Sequence, residues 1–236
     1  MNTALPLSFS IHEGRTHNRF YKDAGVAAHV LARSGRRPRL VAALAAGNEG
    51  AGLWFEARDF EVELELIGPL EPCPGGVSAT LRADVHHLCL ARAVLGSVRL
   101  IRVAEWDPAA AADARFTAEH RQNELTLNRE VGQGRRLWLR LEPLAGTGLL
   151  RDGQRWVLIS SGQVHVRITV SGEAPPLTPV APERLLRPGV ADPEEAHLRA
   201  LAFLTFEEKL LAGSWRFLTY FGRENSLKQV DRKSVV

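Results

Sequence analysis

Cysteine is nearly missing from this chain: Cys73 and Cys89 are the whole supply in 236 residues. Two thiols make no disulfide framework, so the default reading is a reduced, cytoplasmic protein. No apolar run reaches 18 residues, which argues against a transmembrane helix and a membrane partner. The first ten residues carry no basic group ahead of their short apolar stretch and do not read as a secretory signal. Excess charge of one sign is scarce too. The formal net charge is +3, and all of it lies past residue 212, where Arg216, Arg223, Lys228, Arg232 and Lys233 face only Glu224 and Asp231. Residues 1–212 are therefore neutral in sum, and a nucleic-acid groove, which needs clustered cations, is disfavoured. Lysine is rare as well, four residues among the 30 Lys and Arg.

What is present is an ordinary core-forming composition, 45% apolar and 24% charged, in a chain long enough for one large or two small domains. Up to residue 172 the punctuation is that of strands. Apolar runs at 26–33 and 39–46 are separated by the turn cluster Ser34-Gly35-Arg36-Arg37-Pro38. Residues 60–66 alternate strictly, with Glu61, Glu63 and Glu65 on the side facing water. Further strands are expected at 52–57, 77–82, 88–95, 98–104, 125–131, 136–141, 155–160 and 164–170. In the 136–141 strand Leu137, Leu139 and Leu141 share one face and Trp138 lies on the other. Asp107-Pro108 ahead of an alanine run reads as an N-cap and first helical residue of a short helix over 109–114. Residues 1–172 are accordingly expected to form a large antiparallel β-sandwich, the fold class being mainly β.

Residues 173–191 hold Pro175, Pro176, Pro179, Pro182 and Pro188 and read as an extended surface linker. The period then changes. Asp192-Pro193-Glu194-Glu195 is an N-cap, a first-turn proline and two acids suited to a helix N-terminus, and Leu198, Leu201, Ala202 and Thr205 make a helical stripe. Thr205-Phe206-Glu207-Glu208 has the form of a capping box, so a second helix is expected through Gly213. Residues 192–222 are thus read as a helical segment and 223–236 as a polar, disordered tail.

Few constellations suggest chemistry. Gly47, Gly50 and Gly52 stand between two strand patterns, which makes them a hairpin connection and not a phosphate loop, since that loop must open a helix. Only His87 and Cys89 of the His86-His87-Leu88-Cys89 stretch share a face, and Cys73 would have to join them, so no metal site is inferred. Glu207 and Glu208, adjacent on a helix, would diverge by about 100° and cannot flank one glycosidic bond. Glu208 is read as the capping-box acid and Glu207 as a partner of Lys209 or Arg199. Ser160-Ser161-Gly162 is a turn and not a nucleophile elbow. His12, His17 and His29 have no visible acid or nucleophile partner. Residues 18–23, Asn-Arg-Phe-Tyr-Lys-Asp, suit a sugar, an interface or a strand. No cofactor is implied.

One stretch is more specific. Residues 204–223, Leu-Thr-Phe-Glu-Glu-Lys-Leu-Leu-Ala-Gly-Ser-Trp-Arg-Phe-Leu-Thr-Tyr-Phe-Gly-Arg, resemble the start of the catalytic barrel in glycogen-debranching-type, six-hairpin glycosidases. The order of sandwich, Pro-rich linker, helices and Trp…Phe-Gly-Arg is similar throughout residues 1–223. The resemblance implies an (α/α)6 barrel beyond this point and an α-glucan substrate of the amylo-α-1,6-glucosidase type. It assigns sugar-binding positions to Trp215, Tyr220, Phe221, Arg223 and Glu224. The family places Asp where this chain has Glu224, a carboxylate shifted by about one methylene. The family's general acid and base lie in later barrel helices that this sequence does not contain, so it is expected to be truncated at the barrel's start, with no catalytic residue and no activity alone. Its expected role is to brace the barrel and contribute to substrate binding. The alternatives are a stand-alone carbohydrate-binding sandwich, with Trp54, Trp138 and Trp156 as stacking candidates or core residues, and a structural partner of a separately encoded barrel. Self-association through the apolar face of 206–221 is a further expectation.

Overall fold

The computed structural model describes residues 6–57, 61–107, 115–144, 146–181, 184–185 and 194–213. Among the described residues, fourteen strands form two antiparallel sheets. A meander of β1 (Leu7–Glu13), β2 (Thr16–Lys22), β3 (Ala27–Arg33), β4 (Arg39–Leu44) and β5 (Glu49–Glu56) begins the larger sheet. The hairpin β6 (Leu64–Cys73) and β7 (Gly76–Ala83) crosses to the second sheet, and β8 (His87–Ser97) returns to pair with β5. After the helix α1 (Val98–Trp106), β9 (Thr117–Arg121), β10 (Glu124–Val131) and β11 (Arg135–Pro143) extend the second sheet. The hairpin β12 (Thr147–Asp152) and β13 (Arg155–Ser160) extends the first, and β14 (Val164–Gly172) inserts between β7 and β11. The orders are β1-β2-β3-β4-β5-β8-β13-β12 and β6-β7-β14-β11-β10-β9.

Alternation in β7, β11 and β14 of the second sheet is strict because only one of its faces is buried. Leu137, Leu139, Leu141, Val166, Ile168 and Val170 point into the core, while Trp138, Arg140, Arg167 and Thr169 point out. Strands β3 and β4 of the first sheet are buried on both faces, which is why they read as continuous apolar runs. Their second face meets another core, formed by Phe20, Leu31, Val41, Val94, Ile101, Phe203 and Phe206. Helix α1 and a second helix, α2 (Glu195–Leu204), form that outer layer.

Both long sides of the sandwich are laced by polar side chains. Along β6, the Leu64 N–H donates to Ser34 Oγ at 2.9 Å, the Leu66 N–H to His17 Nδ1 at 3.3 Å, and Arg19 donates to the Leu66 carbonyl at 3.2 Å. Along β12, the Asn123 amide donates to the Thr147 carbonyl at 3.2 Å and accepts from the Leu149 N–H at 2.7 Å. Edge groups that would otherwise template another strand are thereby paired. At one end, Glu49 and Arg135 join the sheets at 2.8 Å. Burial raises the Glu49 pKa, with Arg135 opposing.

Several local expectations change. Residues 98–104 are not a strand. Ser97 caps a helix by accepting the Leu100 N–H, and Val98, Ile101 and Ala104 bury one helical face against β5 and β8. Asp107 is the C-cap of that helix and not the N-cap of another; residues 108–114 lie outside the described residues. Helix α2 starts at Glu195 behind Glu194, and Asp192 and Pro193 lie outside the described residues. Its buried residues are Ala202 and Phe203, whereas Leu201 is 36% exposed. Residues 205–213 are not helical. Thr205 bridges Leu210 and Phe206 bridges Pro179, because the segment satisfies its backbone against its neighbours and not within itself. Strands β1, β9 and β12 carry too weak a pattern to be read from the sequence.

Candidate functional site

The C-terminal segment is fastened to the outer face of the larger sheet by the only two lysines before residue 214, Lys22 and Lys209, both buried. Lys22 Nζ donates to the carbonyls of Ala202 at 2.5 Å and Thr205 at 2.6 Å, the end of α2, where orphan carbonyls and the helix dipole favour a cation. The same ammonium lies 3.9 Å from the Phe206 ring centroid. Lys209 Nζ donates to the Ala45 carbonyl at 2.5 Å and to Asn48 Oδ1 at 2.9 Å, in the turn between β4 and β5. Burial lowers the Lys209 pKa to about 8, against an opposing effect of Glu208. A compact ammonium fits such a carbonyl cage where a forked guanidinium does not. That chemistry accounts for lysine at these two positions of an arginine-rich chain. The sequence carries the signal only as rarity, and nothing local to either lysine marks it as buried.

Aromatic packing completes the anchor. Phe9 stacks on Phe20 at 4.6 Å, and both meet Phe203 edge-on, at 6.1 and 5.1 Å. Beneath them His29 stacks on Phe20 at 4.1 Å and its Nε2 donates to Asn18 Oδ1 at 3.0 Å. The Asn18 amide nitrogen is committed to the Ile11 carbonyl, which leaves Oδ1 as the acceptor and fixes the tautomer. Burial depresses the His29 pKa to about 3. Residues 18–23 are thus mostly strand β2, with Phe20, Tyr21 and Lys22 buried.

Glu208 does not close a capping box. Its carboxylate accepts from the Thr178 N–H at 2.9 Å and from Thr178 Oγ1 at 2.7 Å, pinning residues 177–179 to the segment. Glu207 pairs with Arg184 at 2.7 Å, not with Lys209 or Arg199. Both carboxylates are thus committed to structural partners, unlike a catalytic acid or base waiting for substrate. Phe206 and Leu211 are buried against the sheet. Trp215, Tyr220, Phe221, Arg223 and Glu224 lie outside the described residues.

A polar cleft of about 570 Å³ opens beside the β1–β2 turn, lined by His12, Arg15, His17, Ser34, Glu61 and Glu65 among others. The His12 and His17 rings meet edge-on at 3.6 Å, and Arg15 pairs with Glu61 at 2.7 Å. The His17 pKa is lowered by burial first, then by His12 and Arg19, with Glu65 opposing. Of the cleft's three carboxylates, Glu61 pairs with Arg15 and Glu65 with Arg82, while Glu63 makes no such pair among the described residues; the lining carries no cysteine and no serine held by a base. Cys73 and Cys89 sit in different sheets, and among the described residues no three His, Cys, Asp or Glu side chains converge to hold a metal.

The three tryptophans proposed as stacking candidates differ. Trp54 belongs to the outer core and is covered by Arg92 at 4.0 Å. Trp156 packs on the inner core, with His120 at 4.8 Å and Arg151 at 5.6 Å. Trp138 is half-buried on the solvent face of β11. Trp106, at the end of α1, is 78% exposed. No protein-family model matches this sequence, and no curated protein is similar to it. Among the described residues no helix is long and apolar enough to cross a membrane.

Proposed function

We propose that this chain is the non-catalytic sandwich of a debranching-type glycoside hydrolase acting on α-glucan, and that it braces a helical (α/α)6 barrel. The observation that carries the reading is the anchored segment 194–211. Two buried ammonium groups, the Glu208–Thr178 contacts and three phenylalanines fasten it to the larger sheet, and its last eight residues already belong to the stretch that resembles the barrel's start. A brace needs such a joint, because a loosely tethered sandwich would transmit no orientation to the barrel. The commitment of Glu207 to Arg184 and of Glu208 to Thr178 fits a chain that does no chemistry itself.

The test is co-expression with a six-hairpin barrel domain. The wild-type chain is expected to co-purify with it, and a Lys22→Met/Lys209→Met chain to be recovered without it. Failure of the wild-type chain to associate overturns the bracing role. Release of glucose from maltooligosaccharide or branched glucan by this chain alone overturns the non-catalytic one.

A further inference from the structure

The edge of β6 is held by side chains of the other sheet, and those side chains differ in one chemical respect. Ser34 Oγ accepts the Leu64 N–H at 2.9 Å, Arg19 donates to the Leu66 carbonyl at 3.2 Å, and His17 Nδ1 accepts the Leu66 N–H at 3.3 Å. A hydroxyl and a guanidinium keep their hydrogen-bonding character across the neutral and mildly acid range; an imidazole does not. Along one strand edge, the Leu64 N–H thus rests on an acceptor indifferent to acid and the Leu66 N–H on one that a proton erases.

The bond at Leu66 fixes the state of His17. A backbone N–H can only donate, so Nδ1 is unprotonated and the neutral ring carries its proton on Nε2. A further proton makes both ring nitrogens donors, and donor then faces donor between the sheets. The surroundings resist that proton. His17 is half-buried and touches the ring of His12, directly opposite it in the β1–β2 register, with centroids 3.6 Å apart. Burial acts first on its pKa, then His12 and Arg19, all downward, and Glu65 of β6, itself paired with Arg82, opposes them. Nearer the cleft's mouth Arg15 and Glu61 neutralise each other at 2.7 Å, Arg36 lies 4.0 Å from Glu61, and Glu63 is exposed.

We infer that His17 is an acid-released clasp between the two sheets: protonated from solvent, it lets go of the Leu66 N–H and frees the β6 edge beside the polar cleft. The clasp lies on the inner side of the larger sheet and is independent of the bracing joint on its outer face. With Leu66 bound the ring refuses the proton; with the clasp open it titrates near the ordinary value of about 6.5. The closed form is therefore favoured above that pH and loses ground below it, by about tenfold between about pH 7.5 and about pH 5.5.

Amide hydrogen exchange followed by NMR on the full chain reads the clasp residue by residue. After correction for the intrinsic pH dependence of exchange, the Leu66 protection factor is expected to fall about tenfold over that range while that of Leu64 holds. His17→Gln, which has no titrating ring, should flatten the Leu66 response, and His12→Gln should keep it, because the acceptor belongs to His17. Should His17→Gln fail to fold, the contrast between Leu64 and Leu66 in the wild-type chain decides alone. Leu66 protection that ignores pH overturns the inference. So does an equal loss at Leu64 and Leu66, which marks general acid destabilisation, or a response that survives in folded His17→Gln.

Discussion

Acid should destabilise this protein in part through one buried imidazole. His29 is 1% exposed, sandwiched between the two cores' shared sheet and Phe20, and its pKa in the folded chain is depressed to about 3. In the unfolded chain the same group titrates near about 6.5. Between those values the unfolded state binds the proton and the folded state does not, so stability falls as pH falls through that window and levels off below pH 3. From pH 7 to pH 4.5 the protonation of the unfolded imidazole is worth about 2–3 kcal/mol. A His29→Leu chain lacks this dependence. It also strands Asn18 Oδ1 without its donor, at a cost of about 1–3 kcal/mol at neutral pH. The two chains should therefore differ clearly at pH 7 and converge or cross by pH 4.5. Urea unfolding followed by tryptophan fluorescence at the two pH values reads the difference directly. His17 and the carboxylates titrate in both chains and cancel in the comparison. Equal losses of stability in wild type and His29→Leu would refute the reasoning.

Other substitutions probe the joint and the edges. Lys22→Met removes the cation from two carbonyls at the end of α2; tryptic cleavage after Arg199 is expected to accelerate about tenfold, corresponding to about 1.4 kcal/mol of local opening. The advantage of wild type over Lys209→Met should grow as pH rises from about 8 towards 10.5, because the folded chain holds the Lys209 proton less tightly than the unfolded one; pH-resolved denaturation reads it. Asn123→Ala unpairs the edge of β12, and a loss of about 1–2 kcal/mol with faster aggregation on heating is expected by calorimetry and light scattering. Gly76→Ala drives a methyl carbon into the Val170 carbonyl oxygen, so the β7–β14 ladder must part locally and the melting temperature should drop by about 10 °C or more.

Much of the sandwich is legible because a sheet with one buried face writes its period into the sequence. Leu137, Leu139 and Leu141 against Trp138 and Arg140 need no coordinates to be read. Val98 to Ala104 misleads for the opposite reason. Seven residues that are apolar at several spacings suit either period, and the cap at Ser97 together with the pocket over Gly52 decides for helix. The segment after Thr205 misleads because its capping-box residues find better partners far away. Thr178 takes Glu208, and Arg184 takes Glu207.

By itself the amino-acid sequence determined the class of the molecule: an antiparallel sandwich with a neutral body, then a change of period towards a helical end. Local patterns suffice for these features, since each residue's neighbours two or four positions away carry the information. Tertiary structure alone decided that two of the four lysines are buried anchors and that Trp54 joins the outer core, Trp156 the inner one and Trp138 neither. Those properties depend on groups more than a hundred residues apart in the chain, such as Lys22 and Thr205. No spacing rule along the sequence encodes them; they arise only when burial forces each polar group to find a partner.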